Sequence, residues 1–402
     1  MSAGDSSSGF TFPFGAFTLR LLPYVQAQYE NHQESEAQLS ADGRRLLNQD
    51  RFVLRRGRLV VGLDHRWTQL LLELDVNTVQ GVAVGVRQAE ATLRLPPDSD
   101  GRSPAAITLG MFRTPFGHEV LRSARDRVFA ENATVAQAFF PGESDLGARA
   151  QGAIGWFRYA VAVVNGHPID EARFGAQAPI APRDFVGRVG VDLRRNDLRI
   201  TAGLSALGGS GFHPGTPQGV DGLGVRDANE SGVLTPEDLV LIQGRAAVRS
   251  QTFARFAAGV DAAIDARLGR RARLNAYVDA MFGQNMDRGL FISDPVAYGF
   301  DLRGLGVIAG ASATLFDRAL VGARFDWYNP NVDSTASQAG RVVVAPRDLW
   351  TLSLLAGVAL PGTATRLIAQ YDLVRDHLAL GVDGLPTDLA NNRFTLRVQV
   401  SP

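Results

Sequence analysis

Residues 17–30 have the sequence FTLRLLPYVQAQYE, and this stretch decides the fold. Apolar side chains such as Leu19 and Leu21 alternate with polar ones such as Thr18 and Arg20. A period of two places alternate side chains on opposite faces of a β-strand. The stretch is longer than an ordinary globular strand and matches a tilted strand that crosses a bilayer. It therefore predicts a membrane-crossing strand with one apolar and one polar face.

The same alternation recurs along the whole chain. It is clear at 69–77, 107–111, 198–205, 352–360 and 393–400. The 43 glycines interrupt the chain often, which favours many strands and turns over long helices. No apolar run is long enough for a membrane helix. The repeated period predicts an all-β protein, a transmembrane antiparallel β-barrel of about 16 strands with one loop folded inward.

The connections between the predicted strands fall into two classes. Short turns at one end and long loops at the other are typical of outer-membrane barrels. Leu239–Ile242 could be counted as a seventeenth strand, but placing it in a long loop restores the alternation and gives sixteen. Tight turns are expected near 64–65, 154–155, 195–197, 269–271, 316–317 and 361–363, and long connections at about 30–50, 113–143, 165–183, 209–254, 283–302, 330–347 and 375–391.

A soluble sandwich or propeller is the alternative explanation of an alternating pattern. The two classes of connection argue against it, as does the absence of a propeller repeat. Residues 16–402 are therefore predicted to form the barrel, and 1–15 a flexible N-terminal segment. Met1 leads into a polar stretch without a secretory signal, so we expect a signal peptide to have been removed and the protein to lie in the bacterial outer membrane.

The amino-acid composition of the chain excludes several classes of function. The absence of cysteine excludes disulfides, thiolate metal sites and cysteine nucleophiles. The formal net charge of zero gives no reason to expect nucleic-acid binding. All 41 basic residues are arginines. We recognise no Ser-His-Asp arrangement and no zinc-protease histidine spacing in the sequence. We therefore predict no enzymatic activity and no organic cofactor.

Residues Gly110–Glu119, GMFRTPFGHE, resemble a stretch of the phosphate-selective porin O and P family. Weaker similarities occur at 55–58, 145–149, 156–166 and 392–400. The resemblance implies a sixteen-stranded outer-membrane barrel in lipid, a homotrimer, and an arginine-lined channel for anions. Family members with phosphate selectivity also carry lysine clusters, and this chain has no lysine.

The resemblance also implies that 113–143 is a constriction loop that folds into the pore. The apolar patch 136–140, AQAFF, is expected to anchor this loop to the inner wall. The alternative is a loop that caps the surface of the barrel. The longest loop is predicted at 209–254, on the extracellular side.

The period of two assigns the polar faces of the strands to the lumen. Inward arginines outnumber inward acids, so a narrow passage should concentrate anions. The planar guanidinium also suits carboxylate and phosphate oxygens. The alternative is that these arginines pair across strands and only stiffen the barrel. The predicted pore-lining, anion-contacting residues are Arg56, Arg58, Arg94, Arg113, Arg122, Arg125, Arg127, Arg149, Arg158, Arg188, Arg199 and Arg324.

Residues 227–238, DANESGVLTPED, fit the spacing of an EF-hand calcium loop. Gly232 occupies the position that needs a sharp turn. Asp238 replaces the usual glutamate, so the predicted affinity is modest and the role structural. A polar turn that matches by chance is the alternative. The predicted calcium ligands are Asp227, Asn229, Ser231, the main chain of Val233, Thr235 and Asp238.

These observations predict an outer-membrane porin for the passive diffusion of small solutes, with a preference for phosphate or other small anions. One alternative is a general or cation-tolerant porin whose arginines are neutralised in place. A second is a non-conducting scaffold barrel, and a third is a soluble enzyme. Ion selectivity, conductance and solubility without detergent, respectively, separate these alternatives from the prediction.

Overall fold

The computed structural model describes residues 9–35, 37–39, 46–98, 101–168, 183–226, 235–269, 271–338, 341–344, 347–380 and 386–402. In chain order the strands are β1 (Phe10–Phe14), β2 (Phe17–His32), β3 (Asp50–Asp64), β4 (Thr68–Asn77), β5 (Ala83–Arg94), β6 (Ala106–Arg113), β7 (Ser144–Ile154), β8 (Phe157–Val164), β9 (Asp184–Arg195), β10 (Leu198–His213), β11 (Gly222–Val225), β12 (Leu239–Ile242), β13 (Gln251–Leu268), β14 (Ala272–Gln284), β15 (Arg303–Leu315), β16 (Ala319–Asn329), β17 (Thr335–Gln338), β18 (Arg341–Val344), β19 (Leu349–Ala359), β20 (Arg366–Asp376), β21 (Ala379–Leu380), β22 (Pro386–Thr387) and β23 (Arg393–Val400). The helices are α1 (Thr134–Phe139) and α2 (Pro295–Tyr298), and a 3-10 turn spans Pro236–Asp238.

Sixteen of these strands form a closed antiparallel barrel, which confirms the predicted fold. The barrel strands are β2 to β10, β13 to β16, β19, β20 and β23, and each pairs with its neighbours along the chain. β2 closes the ring because it pairs with β3 on one edge and with β23 on the other. The segment Leu239–Ile242, which the prediction placed in a long loop, forms the short strand β12, which pairs with β11 in a hairpin outside the barrel. The count of sixteen is therefore confirmed.

The N-terminal strand β1 and β23 lie end to end along the same edge of β2. It pairs with β2 from Phe10↔Leu21 to Phe14↔Phe17, whereas β23 pairs with the later part, from Val25 onward. The prediction that the whole of 1–15 is flexible is therefore wrong for 10–14. These residues alternate phenylalanine with Thr11 and Pro13, and this short period-two pattern is enough to extend the sheet.

The two classes of connection are present, with different bounds from those predicted. Short connections at 65–67, 155–156, 196–197, 269–271, 316–318 and 360–365 lie at one end of the barrel. Long connections at 33–49, 114–143, 165–183, 214–250, 285–302, 330–348 and 377–392 lie at the other. The longest loop is 214–250 and not 209–254, because the β10–β13 ladder continues to His213↔Gln251. The long-loop end also carries one short connection, 78–82, and the other end one longer connection, 95–105.

The outer face of the barrel is apolar and exposed, whereas the inner face is polar. On β16, the outward Val321 and Phe325 are 44% and 42% exposed, and the inward Arg324 and Asp326 are 4% and 2% exposed. Outward apolar side chains around a closed barrel form the surface that contacts lipid. Among the described residues, no helix is long and apolar enough to cross a membrane.

Candidate functional site

The segment between β6 and β7, residues 114–143, lies inside the barrel and is bound to the inner wall; we refer to it as the inner loop. Oδ2 of Asp326 on β16 accepts hydrogen bonds from the amide and the hydroxyl of Thr134, at 2.6 and 2.7 Å. The side chain of Gln370 on β20 accepts from the amide of Ala130 at 2.8 Å. These bonds fix the start of α1 and the residues before it against β16 and β20.

A second attachment binds the beginning of the inner loop to β14. The amides of His118 and Glu119 both donate to Oδ2 of Asp279, at 2.9 and 3.1 Å. The amide of Gly117 donates to the hydroxyl of Ser205 on β10 at 3.2 Å. The loop is therefore held along the inner wall from β10 around to β20 and does not hang freely in the lumen.

Apolar side chains of the inner loop pack between it and this wall. Phe116, Phe129, Phe139 and Phe140 are each at most 1% exposed. They belong to one buried cluster with wall residues that include Ile308, Leu320, Tyr328, Leu355 and Ile368. The predicted apolar anchor 136–140 is part of this cluster. Burial of so many large apolar groups is strongly favourable, so this side of the lumen is filled by a dry core.

An open space in the described part of the lumen lies on the opposite side, between the inner loop and the wall formed by β3, β4, β5 and β6. It is a cavity of about 190 Å³. Two larger depressions, of about 620 and 590 Å³, lie on the lipid-facing surface and have mostly apolar linings, so they are not candidate solute sites. Five arginines and three glutamates line the inner cavity: Arg55, Arg56, Arg58, Arg87, Arg113, Glu73, Glu131 and Glu143.

Two of these arginines, Arg55 and Arg87, were not predicted to face the lumen. In the β2–β3 ladder Gln26 pairs with Arg56 but the next residue pairs with Leu54, which leaves Arg55 as the extra residue of a β-bulge. The β4–β5 ladder shifts in the same way and leaves Arg87 as the extra residue. A bulge breaks the period of two locally. A strict alternation therefore cannot identify these residues.

The cavity arginines differ in how closely carboxylates neutralise them. Arg58 donates to Glu73 at 2.7 Å and to Asp75 at 2.8 Å. Among the described residues, the ionic contacts of Arg113, which was predicted to line the pore, are longer, 3.7 Å to Glu73 and 3.6 Å to Glu143, and it donates to the carbonyl of Leu121 at 3.4 Å. Close charged hydrogen bonds are the strong ones, so the guanidinium of Arg113 is held more loosely than that of Arg58.

Two acids of the inner loop stay ionised because arginines surround them. Burial opposes ionisation of Glu131, but the nearby guanidinium groups, with Arg55 the strongest influence, hold its pKa well below the ordinary value. Burial likewise opposes ionisation of Glu143, and Arg127 and Arg113 lower its pKa to about 2. Both side chains are therefore anionic at neutral pH, and the cavity contains charges of both signs.

Four predicted pore arginines lie under or within the inner loop and not on an open channel. Arg324 is 4% exposed and donates to Glu119 at 3.3 Å and to the carbonyl of Glu131 at 2.7 Å. Arg127 is 2% exposed and donates to Glu143 at 2.6 Å. Arg122 donates to Asn275, and Arg125 donates to Ser401. For these four residues, the arrangement matches the alternative role of holding the structure together.

The other predicted arginines outside the cavity pair with acids along the wall. Arg149 donates to Glu90 at 2.9 Å, and Arg188 makes two hydrogen bonds to Asp261, at 2.5 and 2.8 Å. Arg94 contacts Asp64 near the short-turn end. Arg158 and Arg199 both contact Asp192 near that end. Of the twelve predicted residues, only Arg56, Arg58 and Arg113 line the cavity.

The predicted calcium loop falls largely outside the described residues. Asp227, Asn229, Ser231 and Val233 belong to 227–234, which the structure does not describe. In the described part, the carboxylate of Asp238 accepts hydrogen bonds from the amide and the hydroxyl of Thr235, at 2.8 and 2.7 Å. The residues that the structure does describe contain no cluster of three or more acids or histidines suited to a metal ion. Calcium binding therefore stays a prediction.

The barrel is similar to solved structures of outer-membrane channels. The outer membrane channel DcaP of Acinetobacter baumannii matches with a TM-score of 0.59 and 11% identity, over 98% of this chain and 99% of that one. The anion-selective porin from Comamonas acidovorans matches with a TM-score of 0.58 and 11% identity, over 96% and 100%. Salmonella typhi OmpF, in complex with daunomycin, matches with a TM-score of 0.52 and 8% identity, over 98% and 100%. No protein-family model and no curated protein sequence matches the chain.

These similarities are to porins and channels, and at this identity they establish the fold. The sixteen-stranded barrel and its apolar outer face place the chain in the bacterial outer membrane, as predicted.

Proposed function

We propose that the chain is an outer-membrane porin through which small solutes diffuse passively, with a preference for anions. The observation that carries the proposal is the cavity between the inner loop and β3 to β6, where five arginines face three glutamates. Apolar side chains pack the inner loop against the opposite wall, and we take this cavity as the route of the solutes. An excess of positive charge in a narrow passage concentrates anions and repels cations.

Arg113 is the residue that we expect to contact passing anions most directly. Its carboxylate contacts are all longer than 3.5 Å, so an anion can approach without displacing a close ion pair. A passage needs binding that is favourable enough for entry and weak enough for release. The neighbouring Glu73 and Glu143 moderate the attraction and thereby support release. The proposed process involves no covalent step, so no enzymatic activity is proposed.

We also propose that the chain is related to the phosphate-selective porin O and P family and forms homotrimers in the lipid of the outer membrane. The position of Gly110–Glu119 supports this relationship, because it spans the end of β6 and the start of the inner loop. The proposed solutes are small anions, with phosphate as one of them. A closed scaffold barrel is the second candidate in a different class, and the small volume of the cavity is the observation that favours it.

The test is a planar-bilayer measurement on the purified protein across a gradient of potassium chloride. A reversal potential of the sign that indicates chloride preference is expected. Cation preference would support the general, cation-tolerant porin and would contradict the proposed selectivity. Absence of conductance from protein that is demonstrably inserted would support the scaffold barrel.

A further inference from the structure

A single carboxylate of the inner loop accepts hydrogen bonds from three arginines of the barrel wall. Nε and Nη2 of Arg55 donate to the two oxygens of Glu131 at 2.8 and 2.9 Å. Arg56 donates to the same carboxylate at 2.8 Å and Arg397 at 2.7 Å. Two parallel hydrogen bonds fix both the distance and the orientation of an arginine and a carboxylate. The pair formed by Arg55 and Glu131 therefore joins β3 to the inner loop across the edge of the cavity.

We propose that the ion pair between Arg55 and Glu131 sets the exclusion limit of the passage, so that Arg55 is a residue that determines solute size. The inference rests on the proposed function, because it concerns the same passage. It assigns to Arg55 a role in the width of the opening, which is separate from the role of the cavity charge in ion preference.

The β-bulge in β3 explains how Arg55 reaches this position. Arg55 and Arg56 are adjacent, and in a regular strand one of them would face lipid. Ionised side chains on the lipid face are costly. The extra residue in the bulge lets both arginines face inward, where both reach Glu131. The bulge therefore supplies one more inward side chain than the period of two allows, at a point where the wall contacts the inner loop.

The main chain next to Glu131 is held from the other side by contacts that do not involve Arg55. Arg324 donates to the carbonyl of Glu131 at 2.7 Å, and Gln370 accepts from the amide of Ala130 at 2.8 Å. These bonds, together with the apolar cluster, keep the inner loop in place. Replacement of Arg55 by a shorter neutral side chain therefore removes the two parallel bonds at the edge of the cavity, while the single bond from Arg56 to Glu131 remains and the loop stays docked. The opening becomes wider, and larger solutes can pass.

Uncharged sugars separate this effect from a change in cavity charge. The experiment measures swelling of proteoliposomes in sugars of monosaccharide, disaccharide and trisaccharide size, for the parent chain and for Arg55→Gln. Arg20→Gln is the matched control. Arg20 pairs with Asp64 at 2.5 Å, and the exposure of that pair, 31% and 17%, is close to the 27% and 14% of Arg55 and Glu131. Arg20 does not line the cavity.

A severalfold rise in the swelling rate with the trisaccharide relative to the monosaccharide is expected for Arg55→Gln, with no change for Arg20→Gln. Arg55→Lys, which can keep one contact to Glu131, should give an intermediate ratio. An unchanged ratio in Arg55→Gln would overturn the inference. If Arg55→Gln does not assemble, the same swelling ratio is measured for Glu131→Gln, which keeps the shape of the side chain and removes its charge. A raised ratio would then support the inference, and an unchanged ratio would overturn it.

The failure of this inference differs from a failure of the proposed function. If the parent protein gives no swelling even with a monosaccharide, the passage itself is refuted and the inference falls with it. If the parent and both variants swell with the same dependence on sugar size, only the assignment of Arg55 is refuted. Ion selectivity recorded on the same samples reports on cavity charge and does not enter this decision.

Discussion

Gly117 packs directly against Asp279, and a Cβ atom at Gly117 would lie 2.8 Å from Oδ2 of Asp279. The same Cβ would lie 2.7 Å from the terminal methyl of Met281. Gly117 also has a φ of +59°, a conformation that favours glycine. This close approach brings the next two amides onto the carboxylate of Asp279. The start of the inner loop is therefore fixed by a contact that favours glycine.

Replacement of Gly117 by alanine should destabilise the barrel, because alanine adds both backbone strain and a steric clash. We expect a loss of about 2 kcal/mol or more in the free energy of unfolding. Gly155→Ala is the matched control, since Gly155 has a φ of +55° and no atom near the position of an added Cβ. It should lose only about 1 kcal/mol. Guanidinium unfolding in detergent measures both, and equal losses would contradict the packing explanation.

Replacement of Arg113 by glutamine should weaken the preference for anions. The change removes one positive charge from the cavity and leaves Glu73 and Glu143 less compensated. A unit charge several ångströms from a permeating ion in water contributes about 0.5 to 1 kcal/mol, so the ratio of anion to cation permeability should fall about two- to fivefold. Reversal potentials of Arg113→Gln and of the control Arg20→Gln give this ratio. A ratio that falls equally in both variants would show that the position of the charge does not matter.

The stability of the inner loop should decline in acid through Glu143. Its folded pKa, about 2, lies below the ordinary value of 4.5, so ionised Glu143 stabilises the fold. That contribution is complete above about pH 4.5 and is lost as the pH falls towards 2. Between these values the unfolding midpoint of Glu143→Gln should depend less on pH than that of the parent. Exposed Glu34 serves as the control, and Glu34→Gln should keep the dependence of the parent. Identical profiles for parent and Glu143→Gln would contradict the prediction.

Calcium should protect the long loop 214–250 from proteolysis if the predicted EF-hand loop binds it. Asp227→Ala removes the first predicted ligand and should abolish the protection. Asp221→Ala is the control, because Asp221 lies in the same loop outside the motif and accepts a hydrogen bond from the amide of Gly244. The measurement compares the cleavage rate in calcium, in magnesium and in chelator. Equal rates for the parent protein in calcium and in chelator would count against the site.

The strand period predicted the barrel well, because every barrel strand must present apolar side chains to lipid and polar ones to the lumen. The pattern indicated the barrel strands, and the alternation of short and long connections excluded Leu239–Ile242 from the ring. It could not locate the bulges at Arg55 and Arg87, because a bulge appears only when two strands are compared in register. It also missed β1, because a period of two over only five residues beside a polar terminus is a weak signal.

The position of the cavity could not be predicted from the sequence. It depends on the side of the lumen to which the inner loop binds, and the contacts that decide this are distant in the chain. Thr134 and Asp326 are 192 residues apart, and Arg397 and Glu131 are 266 residues apart. The predicted set of arginines therefore contained residues from all around the wall. Only three of the predicted arginines line the cavity.

Cysteine accessibility tests the position and the charge of the passage in one measurement, since the parent chain contains no cysteine. Gln88→Cys places a thiol on the cavity wall, and Ser353→Cys places one on the filled side, where Ser353 is 0% exposed. Each variant is exposed to an anionic and a cationic thiosulfonate reagent while its conductance is recorded. The conductance of Gln88→Cys should fall, faster with the anionic reagent, and that of Ser353→Cys should stay constant. The proposed position of the passage would be contradicted if Ser353→Cys were modified and Gln88→Cys were unaffected. The proposed charge would be contradicted if Gln88→Cys reacted faster with the cationic reagent.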